Sequence, residues 1–97
     1  MRYEVLLAAE AAEDLRELPA HLRSEVRDAM ETHLRHEPER TGRSRIKRLR
    51  GLSRPQYRLR VGEMRVFYDV SGGEVHVLAI VEKSRAEAWL RKEGVPS

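Results

Sequence analysis

The sequence predicts an α+β domain: an N-terminal strand, an αα-hairpin packed on an antiparallel sheet with a three-strand C-terminal meander, and a short final helix. Three observations carry this. Apolar residues recur at helical spacing over residues 10–35, with a break at Leu18-Pro19. After Pro55 the period changes to two, the spacing of a strand with one face buried. Two glycine-containing turns, Gly62-Glu63 and Gly72-Gly73, then cut that stretch into three pieces of strand length.

Tyr3 to Ala8 reads as the first strand, because Tyr3, Val5 and Leu7 alternate with Glu4 and Leu6. Glu10 to Leu18 is helical: Ala8, Ala11, Ala12, Leu15 and Leu18 form one stripe, and acids lie early, where the helix dipole favours them. Pro19 ends this helix or opens the next, which runs from His21 to Arg35 with Leu22, Val26, Ala29, Met30 and Leu34 on its apolar face. His36 to Arg50 is polar and basic, without periodicity, and is expected to be a loop with at most a helical turn. Strands follow at Tyr57–Val61, Met64–Val70 and Val75–Val81. The last of these is apolar on both faces, as an inner strand is. Ser84 is the expected N-cap of the final helix, which holds Ala86, Ala88, Trp89 and Leu90.

Ninety-seven residues suit one domain, 1–97, near the lower end of what buries a core unaided. The absence of cysteine excludes disulfides and thiolate metal sites. Four histidines, at 21, 33, 36 and 76, show no metal-ligand spacing, so no metal or cofactor is expected. No stretch has the roughly 20 apolar residues of a membrane helix, and the N-terminus lacks a signal-peptide pattern. A cytoplasmic protein with no membrane partner is therefore expected.

The formal charge of +3 conceals a sorting of charge along the chain. Ten of the 19 Lys and Arg residues lie between Arg40 and Arg65, where Glu63 is the one acid, so that quarter carries +9 and the rest −6. A polycation attached to a mildly acidic body repels itself and suits an anionic partner. Within it, Arg43, Arg45, Lys47, Arg48, Arg50 and Arg54 are candidate RNA-binding residues. A solvated loop is the plain alternative for the Arg40–Arg50 run.

The turns also set an expected register. With Gly62-Glu63 at the tip, Arg60 lies opposite Arg65 and Arg58 opposite Phe67, and cross-strand partners share a face. With Gly72-Gly73 at the next tip, Asp69 meets His76, Phe67 meets Leu78 and Arg65 meets Ile80. One face then collects Tyr57, Leu59, Val61, Met64, Val66, Tyr68, Val70, Val75, Val77, Ala79 and Val81 as the helix-packed core. The other holds Arg58, Arg60 and Arg65 beside Phe67, Leu78 and Ile80. Like charges placed opposite each other cost a few tenths to about 1 kcal/mol. Guanidinium groups match phosphate with paired hydrogen bonds, so phosphate is the natural counter-ligand. The alternatives are arginines that extend over an apolar patch into solvent, or that pair with the protein's own acids.

The stretch KRLRGLSRPQYRLRVGEMRVFYDV resembles the RelE/ParE superfamily of toxin–antitoxin systems, and RelE-like members in particular. The likeness rests on Leu49 and Gly51, the run Tyr57-Arg58-Leu59-Arg60 and the run Met64-Arg65-Val66-Phe67-Tyr68, and the αα-hairpin fits the same template. The resemblance implies a ribosome-dependent mRNA endonuclease that inhibits translation. A ParE-like gyrase inhibitor, or a degenerate toxin that binds its antitoxin without RNase activity, is the alternative. It implies that Arg58, Arg60 and Arg65 hold mRNA phosphates and stabilise the transition state as a ribose 2′-OH attacks the adjacent phosphate, without a metal. It also implies a cognate acidic antitoxin, with mRNA and the ribosome, or DNA gyrase, as targets.

The sequence departs from the family pattern after the last strand. Val81-Glu82-Lys83-Ser84-Arg85 stands where a Gly-Lys/His-Arg segment is usual, and Trp89 and Leu90 stand where a Tyr is expected. Substitutes are His76 or Glu82 as base and Lys83 or Arg85 as charge stabiliser. Each has a plain alternative: His76 paired with Asp69, Glu82 neutralising a cation, Arg85 solvated in a first helical turn.

Overall fold

A computed structural model describes residues 2–42 and 45–97. Arg43, one of the candidate RNA-binding residues, lies outside the described residues. Strand β1 (Glu4–Leu7) leads into α1 (Ala9–Glu17) and α2 (Ala20–Ala29). α2 continues as a π-helical turn over Met30–Leu34. Strands β2 (Ile46–Arg48), β3 (Leu52–Arg54), β4 (Tyr57–Val61), β5 (Met64–Ser71) and β6 (Glu74–Glu82) follow, then α3 (Lys83–Glu93) and β7 (Val95–Pro96). The main sheet has the order β1-β6-β5-β4-β2. Its β1–β6 pair is parallel and its other pairs are antiparallel. β3 and β7 form a separate ribbon. There Gly94 is required sterically, because a Cβ would lie 2.5 Å from the Leu90 carbonyl oxygen.

The expected architecture is present: strand, αα-hairpin, meander, final helix. Ala11 and Leu15 of α1, Val26 of α2, and Met30 and Leu34 of the π turn meet Leu59, Val66, Tyr68, Val75, Val77 and Ile80 on one sheet face. Full burial of each large aliphatic side chain contributes about 1.5–3 kcal/mol, and this layer accounts for most of the hydrophobic stabilisation. Tyr68 is buried with its hydroxyl donating to the Pro38 carbonyl at 2.7 Å, and its ring stacks on Tyr57 with centroids 5.5 Å apart. The segment after α2 is thereby fastened to the core instead of hanging free. It also contains β2, which pairs with β4, so the expectation of a loop over His36–Arg50 is corrected.

The first hairpin follows the expected register: Arg60 faces Arg65, Arg58 faces Phe67, and Gly62 takes a left-handed φ of +57° at the turn. The second begins as expected, with Asp69 opposite His76 and Val70 opposite Val75, and then slips by one. Tyr68 pairs with Val77 and Phe67 with Ala79, so Leu78 is inserted as a bulge. Beyond it the faces exchange. Ile80 joins the core opposite Val66, while Ala79 and Val81 come to lie opposite Phe67 and Arg65. The pairings Phe67–Leu78 and Arg65–Ile80 are thus corrected. α3 starts at Lys83 with Glu82 at its N-cap and no side-chain cap, so Ser84 lies inside the helix. No described helix is long and apolar enough to cross a membrane.

Candidate nucleic-acid interface

The sheet face opposite the αα-hairpin carries cations in two facing rows. Arg60 of β4 lies opposite Arg65 of β5, and Lys47 of β2 lies opposite Arg58 of β4. Both rows set like charges across a ladder, where they repel. Exposure differs sharply within the group. Lys47 and Arg60 are exposed, Arg58 is half-buried, and Arg65 retains 7% of its surface. Arg65 Nη1 donates to the carbonyl oxygens of Gly62 (2.8 Å) and Met64 (2.9 Å), so one edge of its guanidinium is committed to the adjacent turn. Burial, followed by the charges of Arg65 and Arg60, lowers the pKa of Arg58 from its usual value.

The floor is apolar. Phe67, 1% exposed, stacks on Trp89 of α3 with centroids 5.0 Å apart and planes 3° from parallel. The Trp89 indole donates to Glu10 Oε2 at 3.0 Å. α3 therefore covers the β5–β6 half of this face. On the β4–β2 half, a cavity of about 590 Å³ is lined by Thr41, Gly42, Ile46, Lys47, Arg48, Arg50 and Arg58. A second, of about 580 Å³, lies over β2 towards the helices, lined in part by His33, Arg40 and Arg45. Burial and the charge of Arg45 lower the pKa of His33, which favours its neutral form.

The structure distributes the remaining candidates unevenly. Arg48 donates to the Gln56 carbonyl (2.8 Å) and lies over the Tyr57 ring, 5.2 Å from its centroid. Arg50 is exposed at the cavity rim. Arg54 pairs with Asp69 at 3.3 Å, at the other end of the strands from Arg60. His76 faces Asp69 in the ladder, but its side chain makes its contact elsewhere. Its Nε2 lies 3.0 Å from Glu74 Oε1, while Asp69 accepts the Gln56 amide at 2.7 Å. Its ladder row is four residues along β5 from Arg65, roughly 13 Å at strand rise. Lys83 and Arg85 are exposed in the first turn of α3. The Lys83 amide donates to the Glu63 carbonyl at 2.7 Å, which brings the head of α3 to the Arg60–Arg65 end of the sheet. Glu82 pairs with Met64, whose side chain belongs to the core face, so the register sets it on the far side from Arg65. No group of three His, Asp or Glu among the described residues could hold a metal ion.

Two features escaped the sequence reading. Lys47 was a candidate only as part of a basic run, and its partnership with Arg58 depends on β2, three residues long. The Phe67–Trp89 stack depends on the bulge. In hindsight, Trp89 at an apolar position of a short final helix was the available signal.

The profile of the ParE toxin of type II toxin–antitoxin systems matches residues 5–87. The chain belongs to this family. Among solved structures, the toxin resembles a chain of the toxin–antitoxin complex RelBE2 from Mycobacterium tuberculosis. That match has 25% identity and a TM-score of 0.70, and covers 84% of this chain and 99% of that one. The archaeal RelE–RelB complex from Pyrococcus horikoshii gives 30% identity and a TM-score of 0.62, over 88% and 99% of the two chains. The chromosomal ParDE system of P. aeruginosa, at 15% identity and a TM-score of 0.61 over 84% and 96%, shares the fold. Comparison with curated proteins gives no match. The protein is a RelE/ParE-family toxin of a type II toxin–antitoxin system.

Proposed function

We propose that the toxin inhibits translation in the cytoplasm as a RelE-like, ribosome-dependent mRNA endonuclease that uses its cationic sheet face. The observation that carries this is the pair of like-charged rows, Arg60 opposite Arg65 and Lys47 opposite Arg58, over an apolar floor. Such an arrangement costs folding free energy and gains most when a polyanion lies across it. The low-dielectric surroundings strengthen each contact to phosphate. In the reaction, a ribose 2′-hydroxyl gives its proton to solvent as its oxygen bonds to the adjacent phosphorus. The bond to the 5′-oxygen breaks with that oxygen taking a proton from solvent, leaving a 2′,3′-cyclic phosphate and a 5′-hydroxyl. The phosphoryl oxygens gain charge at the transition state, and Arg58 and Arg60 are the groups proposed to stabilise it. Arg65, fixed by two backbone carbonyls, braces the site from below. Lys83 and Arg85 flank the same end and are candidates to neutralise the leaving oxygen.

A non-cleaving toxin, such as a ParE-like gyrase inhibitor, is favoured by a different observation: His76 is held by Glu74 far from the arginines, and arginine is a poor proton shuttle. A cognate acidic antitoxin is the proposed partner in either case, because an acidic segment laid across the face would relieve the repulsion and exclude the target.

Induction in cells separates the readings. The endonuclease predicts arrested translation and cut messages, both lost when Arg58 and Arg60 are replaced by Ala. Continued translation with induced DNA-damage signalling would instead establish the gyrase reading.

A further inference from the structure

The bulge at Leu78 decides which β6 residues lie beside Arg65 and Phe67, and the feature that fixes it sits in the other layer of the molecule. The peptide groups of Gly73 and Val77 point from β6 towards β1, since their carbonyls accept from the Glu4 and Ala8 amides at 2.9 Å each. Alternation by two would next turn residue 79 that way. With Leu78 inserted, the Ile80 amide points there instead, into the space beyond the end of β1, where Asp14 Oδ2 of α1 accepts it at 2.9 Å. Downstream, the Lys83 amide faces the opposite side and donates to Glu63, as the shifted alternation requires. The Asp14–Ile80 bond therefore exists in the bulged register and not in the regular one, whose Ile80 amide would face β5.

We infer that Asp14 is a positioning residue for the cationic face, selecting through the Ile80 amide the register that sets Ala79 beside Phe67 and leaves room for Trp89. In the regular register, Leu78 and Ile80 would lie opposite Phe67 and Arg65, and their bulk would occupy the volume that the Trp89 ring fills. α3 has no fully buried residue, so its seat depends heavily on that one stack and on its two ends. Asp14 is half-buried, and burial raises its pKa above the usual aspartate value, a cost retained for a single backbone bond. Bulges commonly re-aim side chains next to functional surfaces. The inference rests on the RNA-binding reading for its consequence, although not for its geometry.

The test uses Trp89, the sole tryptophan, as a reporter. Near-UV circular dichroism of Trp89 and affinity for a short single-stranded RNA are measured for the full chain and its variants. Asp14→Asn keeps an acceptor oxygen and is expected to retain both signals. Asp14→Ala is expected to lose the Trp89 band and to bind RNA roughly tenfold more weakly, on the order of one lost charge-assisted contact between the face and a phosphate. If Asp14→Ala does not fold cooperatively, Ala79→Leu introduces the displaced bulk directly, with Asp14 intact, and is expected to expel Trp89 in the same way. An unchanged Trp89 band in Asp14→Ala or Ala79→Leu would overturn the inference, as would equal loss in Asp14→Asn and Asp14→Ala. Loss of the band without loss of affinity would break the link between register and binding. If the wild type binds no free RNA, the link between register and RNA binding fails by itself, the ribosome-dependent reading is judged by the induction experiment, and the Trp89 band still decides whether Asp14 sets the register.

Discussion

The two faces of the sheet obey opposite rules. Towards the αα-hairpin, Leu59, Val66, Tyr68, Val75 and Val77 are buried completely, and the buried tyrosine hydroxyl has its acceptor. On the other side, arginine faces arginine and lysine faces arginine, and α3 covers half of the surface without burying any of its own residues fully. One face is arranged for stability. The other retains local repulsion that a solely structural surface has no reason to keep, and on that difference rests the proposal that it is the working surface.

The largest expected effect tests the first face against the second. Leu59→Ala should cost about 2–5 kcal/mol in urea unfolding, through lost transfer free energy plus a cavity. Arg60→Ala, one residue along the same strand, should cost nothing or stabilise slightly, because it removes the repulsion with Arg65. Equal destabilisation by the two would erase the contrast. In cells the order reverses: Arg60→Ala should relieve growth arrest at unchanged protein level, and Arg58→Ala should do the same. Arg65→Ala is a poorer probe, since it also strips the Gly62 and Met64 carbonyls of a donor. A smaller effect belongs to Tyr68→Phe, which removes the bond to Pro38 and should cost about 1 kcal/mol.

The smallest effect is a pH dependence. Asp14 has a folded-state pKa raised chiefly by burial, so the folded protein binds the proton more tightly than the unfolded chain. Stability from this group is then greatest below the unfolded value and is lost as pH rises through the raised one. Relative to Asp14→Asn, the wild type should lose stability as pH rises from about 4 through the raised value of Asp14. A difference that stays flat across that range would show that Asp14 is not desolvated in the folded state.

The legibility of the sequence divides at the same places. The β4–β5 register was readable because Gly62-Glu63 fixes a two-residue turn and polar Arg58 and Arg60 alternate with Tyr57, Leu59 and Val61. The bulge was not readable. Val75 to Val81 is apolar at nearly every position, so a slip by one exchanges Leu78 and Ile80 for Ala79 and Val81 without violating any hydrophobic pattern. Its cause, Asp14, lies 66 residues earlier in the chain than Ile80. β2 was missed because Ile46-Lys47-Arg48 is too short to show a period, and with it the facing of Lys47 to Arg58. The burial of Arg65 follows from a side-chain turn back onto Gly62, which no spacing encodes.

The salt dependence of single-stranded RNA binding tests most directly whether the cationic face is the working surface. Each phosphate neutralised contributes about 0.7 to the slope of log affinity against log salt concentration. Replacing Arg58 and Arg60 together with Ala should lower that slope by about 1.4, two contacts' worth, while the Trp89 band remains. A slope unchanged by the double replacement, with the fold intact, would contradict the account and move the binding surface elsewhere.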